Sequence, residues 1–158
     1  MITCTFENGS TTSLRHVTVD AIMCKDNSVV LVRRSPSLVE GGKWAIPGGF
    51  LQRDERPEEG ALRELKEETG WEASNPELFA ICLSPHRLND ARNWQNINFV
   101  YVTVPGKQTG DHDWESTDVQ WFSLDSLPED SIIAFDHAKI LQAFRKYKQS
   151  THPLPLIW

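Results

Sequence analysis

Residues 49–71 read Gly-Phe-Leu-Gln-Arg-Asp-Glu-Arg-Pro-Glu-Glu-Gly-Ala-Leu-Arg-Glu-Leu-Lys-Glu-Glu-Thr-Gly-Trp. A glycine loop leads into a helix. Pro57 suits the first helical turn, Glu58 and Glu59 stand at its positive end, and Gly70 supplies the stop. Glu64, Glu67 and Glu68 are spaced i, i+3, i+4, so their carboxylates leave one helix face. Like charges that close are costly unless a cation sits among them. Hard carboxylate oxygens select magnesium, manganese or calcium over softer metals. The stretch therefore reads as a divalent-metal site beside a close-turning loop, which suits phosphate chemistry.

A solvated helix face is the simpler alternative, since Glu and Lys are good helix formers. It would account for a bare Glu-Glu pair. The fixed places run further: Gly49, five residues, Glu55, seven residues, then Arg63, Glu64, Leu65, one residue, Glu67, Glu68, one residue, Gly70 and an apolar residue, Trp71. From average residue usage a chance match is on the order of 10⁻⁷, which sets the simpler alternative aside. The stretch resembles the Nudix box, the signature of the Nudix hydrolases. Trp71 stands where a smaller aliphatic residue is usual, a departure expected to touch packing and not chemistry.

Working outward, Arg15–Cys24 and Ser28–Arg34 read as a hairpin of β-branched strands across a Lys25–Asn27 turn. Ser35–Lys43 reads as a loop, and Trp44–Ile46 as a short strand stopped by Pro47-Gly48-Gly49. The box helix is predicted over Pro57–Thr69. Leu78–Leu83, Asn96–Val104 and Asp118–Ser123 read as further strands, and Phe135–Tyr147 as a second helix with Ile140, Leu141 and Phe144 on one side. This order predicts an α/β fold, an α/β/α sandwich with a mixed β-sheet between helices, and the resemblance implies the same fold. A single domain over residues 1–158 is expected, with a short N-terminal segment (1–14) and a Pro-rich C-terminal tail (151–158). The tail's apolar end, Leu156-Ile157-Trp158, must dock on this chain or a partner.

Hydrophobic residues make up 39% and charged residues 24% of the 158, which is ordinary for a soluble globular chain. The net charge of −6 disfavours nucleic-acid binding, which needs a basic footprint. No apolar run approaches a membrane span, and the N-terminus lacks a signal-peptide pattern, so no membrane partner is expected. Cys4, Cys24 and Cys82 are far apart and odd in number; Cys24 and Cys82 are expected to be buried, and a reducing cytoplasm is the expected compartment.

The resemblance implies hydrolysis of a pyrophosphate in a nucleoside diphosphate linked to another moiety. It implies metal ligands at Glu64, Glu67, Glu68 and the Gly48 carbonyl, with magnesium as cofactor and manganese as a substitute. Metal between carboxylates and phosphates would also reconcile an acidic protein with an anionic substrate. Arg63 lies beside the cluster and is expected to be held by Glu55, with Gly70 structural. The general base is open among Glu64, Glu67 and, in the loop before the Trp121 strand, Glu115; Asp111 and Asp113 share that loop.

Candidate substrate contacts are Arg33, Arg34, Trp44, Gly49 and, in the Ser84–Asn98 loop, His86 and Arg87. Strand-end exposure is an equal alternative for the arginines, and core packing the commoner fate of a Trp. The Ala134-Phe135-Asp136-His137 run resembles Nudix enzymes acting on ADP-ribose and similar nucleotide sugars, with Asp136 expected to cap the last helix. A nucleoside-diphosphate sugar, foremost ADP-ribose, is the expected substrate. Sanitisation of an oxidised nucleoside triphosphate is the alternative. A non-catalytic nucleotide-sugar sensor and a prenyl diphosphate isomerase fit less well, because the box is intact. A homodimer is expected from the exposed apolar ends and the prevalence of two-fold assembly.

Overall fold

In the computed structural model the described residues are 2–85, 95–150 and 152–158. The elements in chain order are β1 (Ile2–Thr5), β2 (Thr11–Leu14), β3 (His16–Lys25), β4 (Ser28–Arg34), β5 (Trp44–Ala45), β6 (Gly48–Phe50), α1 (Pro57–Thr69), β7 (Trp71–Cys82), β8 (Asn96–Gln108), β9 (Ser116–Ser123), a 3₁₀ turn (Asp130–Ile132), α2 (His137–Gln149) and β10 (Leu156–Ile157). The main sheet runs β10-β7-β8-β3-β4-β5, with β6 added on β3 and β9 on β4. It is mixed: β3 pairs parallel with β8 and β10 with β7, and the other pairs are antiparallel.

The two faces carry separate cores. Val19, Ala21 and Met23 of β3 pack with Ala61 and Leu65 of α1. The intervening Ile22 packs with Ile140, Leu141 and Phe144 of α2. This alternation along one buried strand is what sandwiches the sheet between two helices. No helix among the described residues is long and apolar enough to cross a membrane.

One irregularity creates the site. β3 and β4 pair only at Cys24↔Val29 and Lys25↔Ser28 and then diverge. Into the opened edge comes β6, pairing Gly48, Gly49 and Phe50 with Asp20, Val19 and Thr18. The Pro47-Gly48-Gly49 run, expected to end a strand, instead starts one. Its ladder partners lie in β3, where no local pattern points to them.

Other boundaries also moved. β7 starts at Trp71 and β8 continues to Gln108, because each supplies the other's backbone partners across several bulges. α2 starts at His137, two residues late. Phe135 holds φ +56°, a left-handed backbone that cannot begin a helix. Asp136 occupies the N-cap position, but its side chain makes no capping hydrogen bond. Cys82 is buried as expected, whereas Cys24 is half-buried where β3 runs out to solvent. Trp71 meets Trp121 edge-to-face at 5.9 Å, a packing role.

The tail docks on its own chain. β10 adds a parallel edge strand to β7, and the Trp158 carbonyl accepts the Leu83 N–H at 2.6 Å. Residues 2–14 form a separate two-stranded sheet, with Ile2, Phe6 and Leu14 exposed.

Candidate active site

The box helix is fixed at both ends. Pro57 stands at its first position, and the Arg56 N–H donates to Glu59 Oε2 at 2.9 Å. Gly70 closes it at φ 71°, and a side chain there would overlap the Gly110 carbonyl oxygen. The Gly70 carbonyl accepts N–H groups from Thr109 (2.8 Å) and Gly110 (3.2 Å), and the Glu67 carbonyl accepts the Asp113 N–H at 3.0 Å. The helix C-terminus thus anchors the 109–115 loop, and with it Glu115. Gly70 is structural in two senses, as stop and as docking point.

Glu68 is 3% exposed and accepts the Gly48 N–H through Oε2 at 3.1 Å. Burial pushes its carboxyl well above the ordinary range, and the Gly48 bond opposes this only partly. Burial also raises Glu64, against the pull of Arg63. A Cβ on Gly49 would lie 2.6 Å from the Glu64 carboxylate, so only glycine lets the loop pass there. Two desolvated carboxylates against a glycine backbone, one of them almost wholly enclosed, form a hard-oxygen donor set that fits a divalent cation.

The carboxylates are not gathered on one point. Among the described residues no three His, Cys, Asp or Glu groups form a ready metal cluster. Arg63 accounts for this. Its Nη1 donates to Glu64 Oε1 (2.8 Å) and Glu67 Oε2 (2.9 Å), drawing both toward itself. Its Nε and Nη2 grip Glu55 at 2.9 and 2.7 Å, and Nη2 reaches the Phe50 carbonyl at 3.2 Å. The guanidinium is held firmly protonated by these carboxylates. Glu55 also accepts the Gln52 N–H at 2.8 Å, so the pair ties the loop to the helix.

A cavity of about 460 Å³ opens on this cluster. Gly48, Gly49, Glu64, Arg34 and Glu115 line its charged part. Leu38, Val39 and Phe135 line an apolar part, and Thr18, Asn96 and Asn98 a polar one. The polar groups are linked: the Asn96 amide donates to Thr18 Oγ1 and Thr18 Oγ1 to Asn98 Oδ1, both at 2.9 Å. Burial raises the Glu115 carboxyl, Asp113 reinforces the shift and Arg34 opposes it.

The sequence-expected contacts divide. Arg34 turns into the cavity, anchored by its Nε to the Val39 carbonyl at 2.8 Å and stacked on Phe135 at 4.9 Å. Arg33, its neighbour along the strand, is exposed outside the cavity lining and bonds the Gly42 carbonyl at 3.1 Å. Successive strand side chains point to opposite faces, so at most one of the two could enter. Trp44 is in the core, edge-to-face with Phe122 at 4.9 Å, because its strand position faces α2 and not the cavity. Glu67 has a half-exposed side chain, pairs with Arg63 and lies outside the cavity lining. His86 and Arg87 fall outside the described residues. Sequence reasoning missed Asp20 and Thr18, which read as ordinary strand alternation. It singled out Asn98 with the Ser84–Asn98 loop, and Phe135 and His137 with the Ala134–His137 run, and the structure brings all three to the cavity lining.

The chain resembles known proteins in sequence and fold. The NUDIX domain model matches residues 14–144. An ADP-ribose pyrophosphatase of Methanocaldococcus jannaschii is 35% identical over 134 residues, 84% of this chain and 74% of its own length. Among solved structures, a NUDIX hydrolase from Nitrosomonas europaea superposes with TM-score 0.80 at 23% identity, covering 94% of this chain and 81% of that one. The NUDIX domain of Shewanella oneidensis NrtR, complexed with ADP ribose, superposes with TM-score 0.71 at 26% identity, covering 87% and 90%. With the box helix, its buried carboxylates and the glycine loop arranged as described, this chain belongs to the Nudix family and is a pyrophosphohydrolase.

Proposed function

We propose that the chain hydrolyses the pyrophosphate of a nucleoside-diphosphate sugar, with ADP-ribose the leading substrate, giving a nucleoside monophosphate and a sugar phosphate. The observation that carries this is the match to an ADP-ribose pyrophosphatase across 84% of the chain, well beyond the box. The linked Thr18, Asn98 and Asn96 groups support it, since they offer hydrogen bonds suited to sugar hydroxyls beside the charged part of the cavity.

Nudix hydrolases use divalent metal ions. Here the ion is magnesium, with manganese substituting, held by Glu64, Glu67, Glu68 and the Gly48 carbonyl. When bound, it offsets phosphate charge, lowers the pKa of a water and steadies the leaving oxygen. Arg63 fixes Glu64 and Glu67 beside the site by ion pairs that a bound cation would compete for, and Glu55 holds Arg63. Arg34 is the cavity cation suited to a phosphate oxygen.

Glu115 is the general base of choice. It shares the cavity lining with Glu64, whereas Glu67 is half-exposed outside it. Its raised pKa brings it nearer to the range in which a base both stays deprotonated and accepts a proton well. The chain acts as a homodimer in the cytoplasm, and the exposed apolar residues of the β1–β2 hairpin are the surface offered for assembly. Light scattering at working concentration tests this, and a monomer refutes it.

The substrate test is a panel of ADP-ribose, other nucleotide sugars, dinucleoside polyphosphates and oxidised dGTP, with magnesium or manganese, ranked by kcat/KM. ADP-ribose or another nucleotide sugar should lead. An 8-oxo-dGTP diphosphatase of Proteus vulgaris is 42% identical, but over only 35% of this chain. A lead for oxidised dGTP would overturn the proposal in favour of sanitisation.

A further inference from the structure

The Ala134–His137 segment lies behind the glycine loop. Ile133 forms a parallel bridge with Trp44, and the Ala134 N–H donates to the Trp44 carbonyl at 2.7 Å. Two residues on, the Ile46 N–H donates to His137 Nδ1 at 2.9 Å. Both are buried, Ile46 2% and His137 6% exposed. Ile46 lies between β5 and β6, outside either ladder, so the imidazole satisfies an amide that would otherwise be costly to bury. A ring nitrogen that accepts from a backbone N–H carries no proton, which fixes the neutral ring as the Nε2–H tautomer.

The other side of the loop is held by Asp20. It pairs with Gly48 in the β3–β6 ladder, and a methyl group on Gly48 would overlap Asp20 Oδ1 and the Val19 carbonyl. The Pro47 carbonyl accepts the Ala21 N–H at 2.9 Å, and Asn98 donates to Asp20 Oδ2. His137 Nε2 lies 3.6 Å from that same oxygen. Residues 46–48 are thus gripped between α2 and β3, directly before the box.

We infer that His137 is a positioning residue for the metal loop: through Ile46 it sets where the Gly48 carbonyl stands relative to Glu64 and Glu68, with Asp20 as the opposing wall. This rests on the reading of Gly48, Glu64 and Glu68 as cation ligands. The ring also borders the cavity; the role inferred here is the one it exerts through Ile46, orienting a ligand-bearing loop as partners of ligands commonly do.

Two substitutions separate the ring's nitrogens. In His137→Asn, Oδ1 can stand near the place of Nδ1 and still accept from Ile46. In His137→Gln, the side-chain NH₂ can stand near Nε2, but the acceptor for Ile46 is lost. Mn²⁺ binding to the full chain is measured by electron paramagnetic resonance, without substrate, alongside a thermal melt. The expected result is that His137→Gln weakens Mn²⁺ binding by about tenfold or more, while His137→Asn stays close to the parent.

Parent-like Mn²⁺ affinity in His137→Gln overturns the inference, whatever the melt shows. So does His137→Asn weakening as much as His137→Gln. If neither variant folds, nitrogen NMR of the parent decides: an unprotonated Nδ1 supports the inference and a protonated one overturns it. A parent chain that binds no Mn²⁺ overturns the metal reading itself, and that failure appears before any substitution is made.

Discussion

Arg63 and Glu55 meet as a two-pronged pair, Nε to Oε2 at 2.9 Å and Nη2 to Oε1 at 2.7 Å. Eight residues apart, they join a loop to a helix, and the same guanidinium also donates to Glu64, Glu67 and the Phe50 carbonyl. A planar fork can do this and an ammonium cannot. Arg63→Lys should therefore cost about 1 kcal/mol of stability, since the pair is two-pronged but only partly buried. It should also lower kcat/KM about tenfold or more, through misplaced glutamates. A denaturant melt and steady-state kinetics check both; an unchanged kcat/KM would separate the pair from the site.

Glu68→Gln should leave the fold intact and reduce turnover by orders of magnitude, because it removes charge from the metal cluster. Normal magnesium-dependent turnover in this variant would sink the assignment of the cluster.

Without metal, Glu68 also gives stability a pH dependence of known sign. Its folded pKa lies above the unfolded value of 4.5, so folding favours the protonated form. The contribution is fully present below pH 4.5 and is lost as pH rises through the folded pKa. Glu64 and Glu115 act in the same sense, while Glu55, lowered by Arg63, acts oppositely and is lost on acidification. In EDTA the melting temperature of the parent should fall more steeply above pH 4.5 than that of Glu68→Gln. Added Mg²⁺ should narrow the gap by binding the folded parent. Parallel curves would contradict the burial of a charged Glu68.

Glu115→Gln should lower kcat about 10²–10⁴-fold. It should also remove an acidic limb of the kcat profile. Glu67→Gln should retain that limb. A limb that survives in Glu115→Gln and vanishes in Glu67→Gln would move the base to Glu67.

Gly70→Ala should cost about 1–2 kcal/mol for the left-handed backbone alone, and more for the overlap with the Gly110 carbonyl. Because Gly70 also docks the loop bearing Glu115, kcat should fall with it. Wild-type kcat in a destabilised Gly70→Ala would show that the loop is held elsewhere.

What the sequence determined by itself is local. The helix over Pro57–Thr69, its proline start and glycine stop, and three glutamates on one face all follow from rules that act within four residues. The Glu55–Arg63 bond was foreseen only through the resemblance to the Nudix box, since nothing within four residues joins the two. The order of strands and helices likewise foretold a sheet sandwiched between two helices.

What only the tertiary structure decided is set by partners far along the chain. The Ile46–His137 bond spans 91 residues and the Asn98–Asp20 bond 78. Whether Gly48–Phe50 is loop or strand depends on β3 and β4 diverging, and whether the Pro-rich tail is free depends on the open edge of β7. Arg33 and Arg34 are equivalent in sequence, yet only Arg34 enters the cavity, at a point where the pairing of β4 with β9 slips by one residue between the two. The three glutamates proposed to hold a cation are written into one helix. The cavity beside them is assembled from β3, β4, β6, β8 and the approaches to β9 and α2, so its shape and the substrate it takes are properties of the packing.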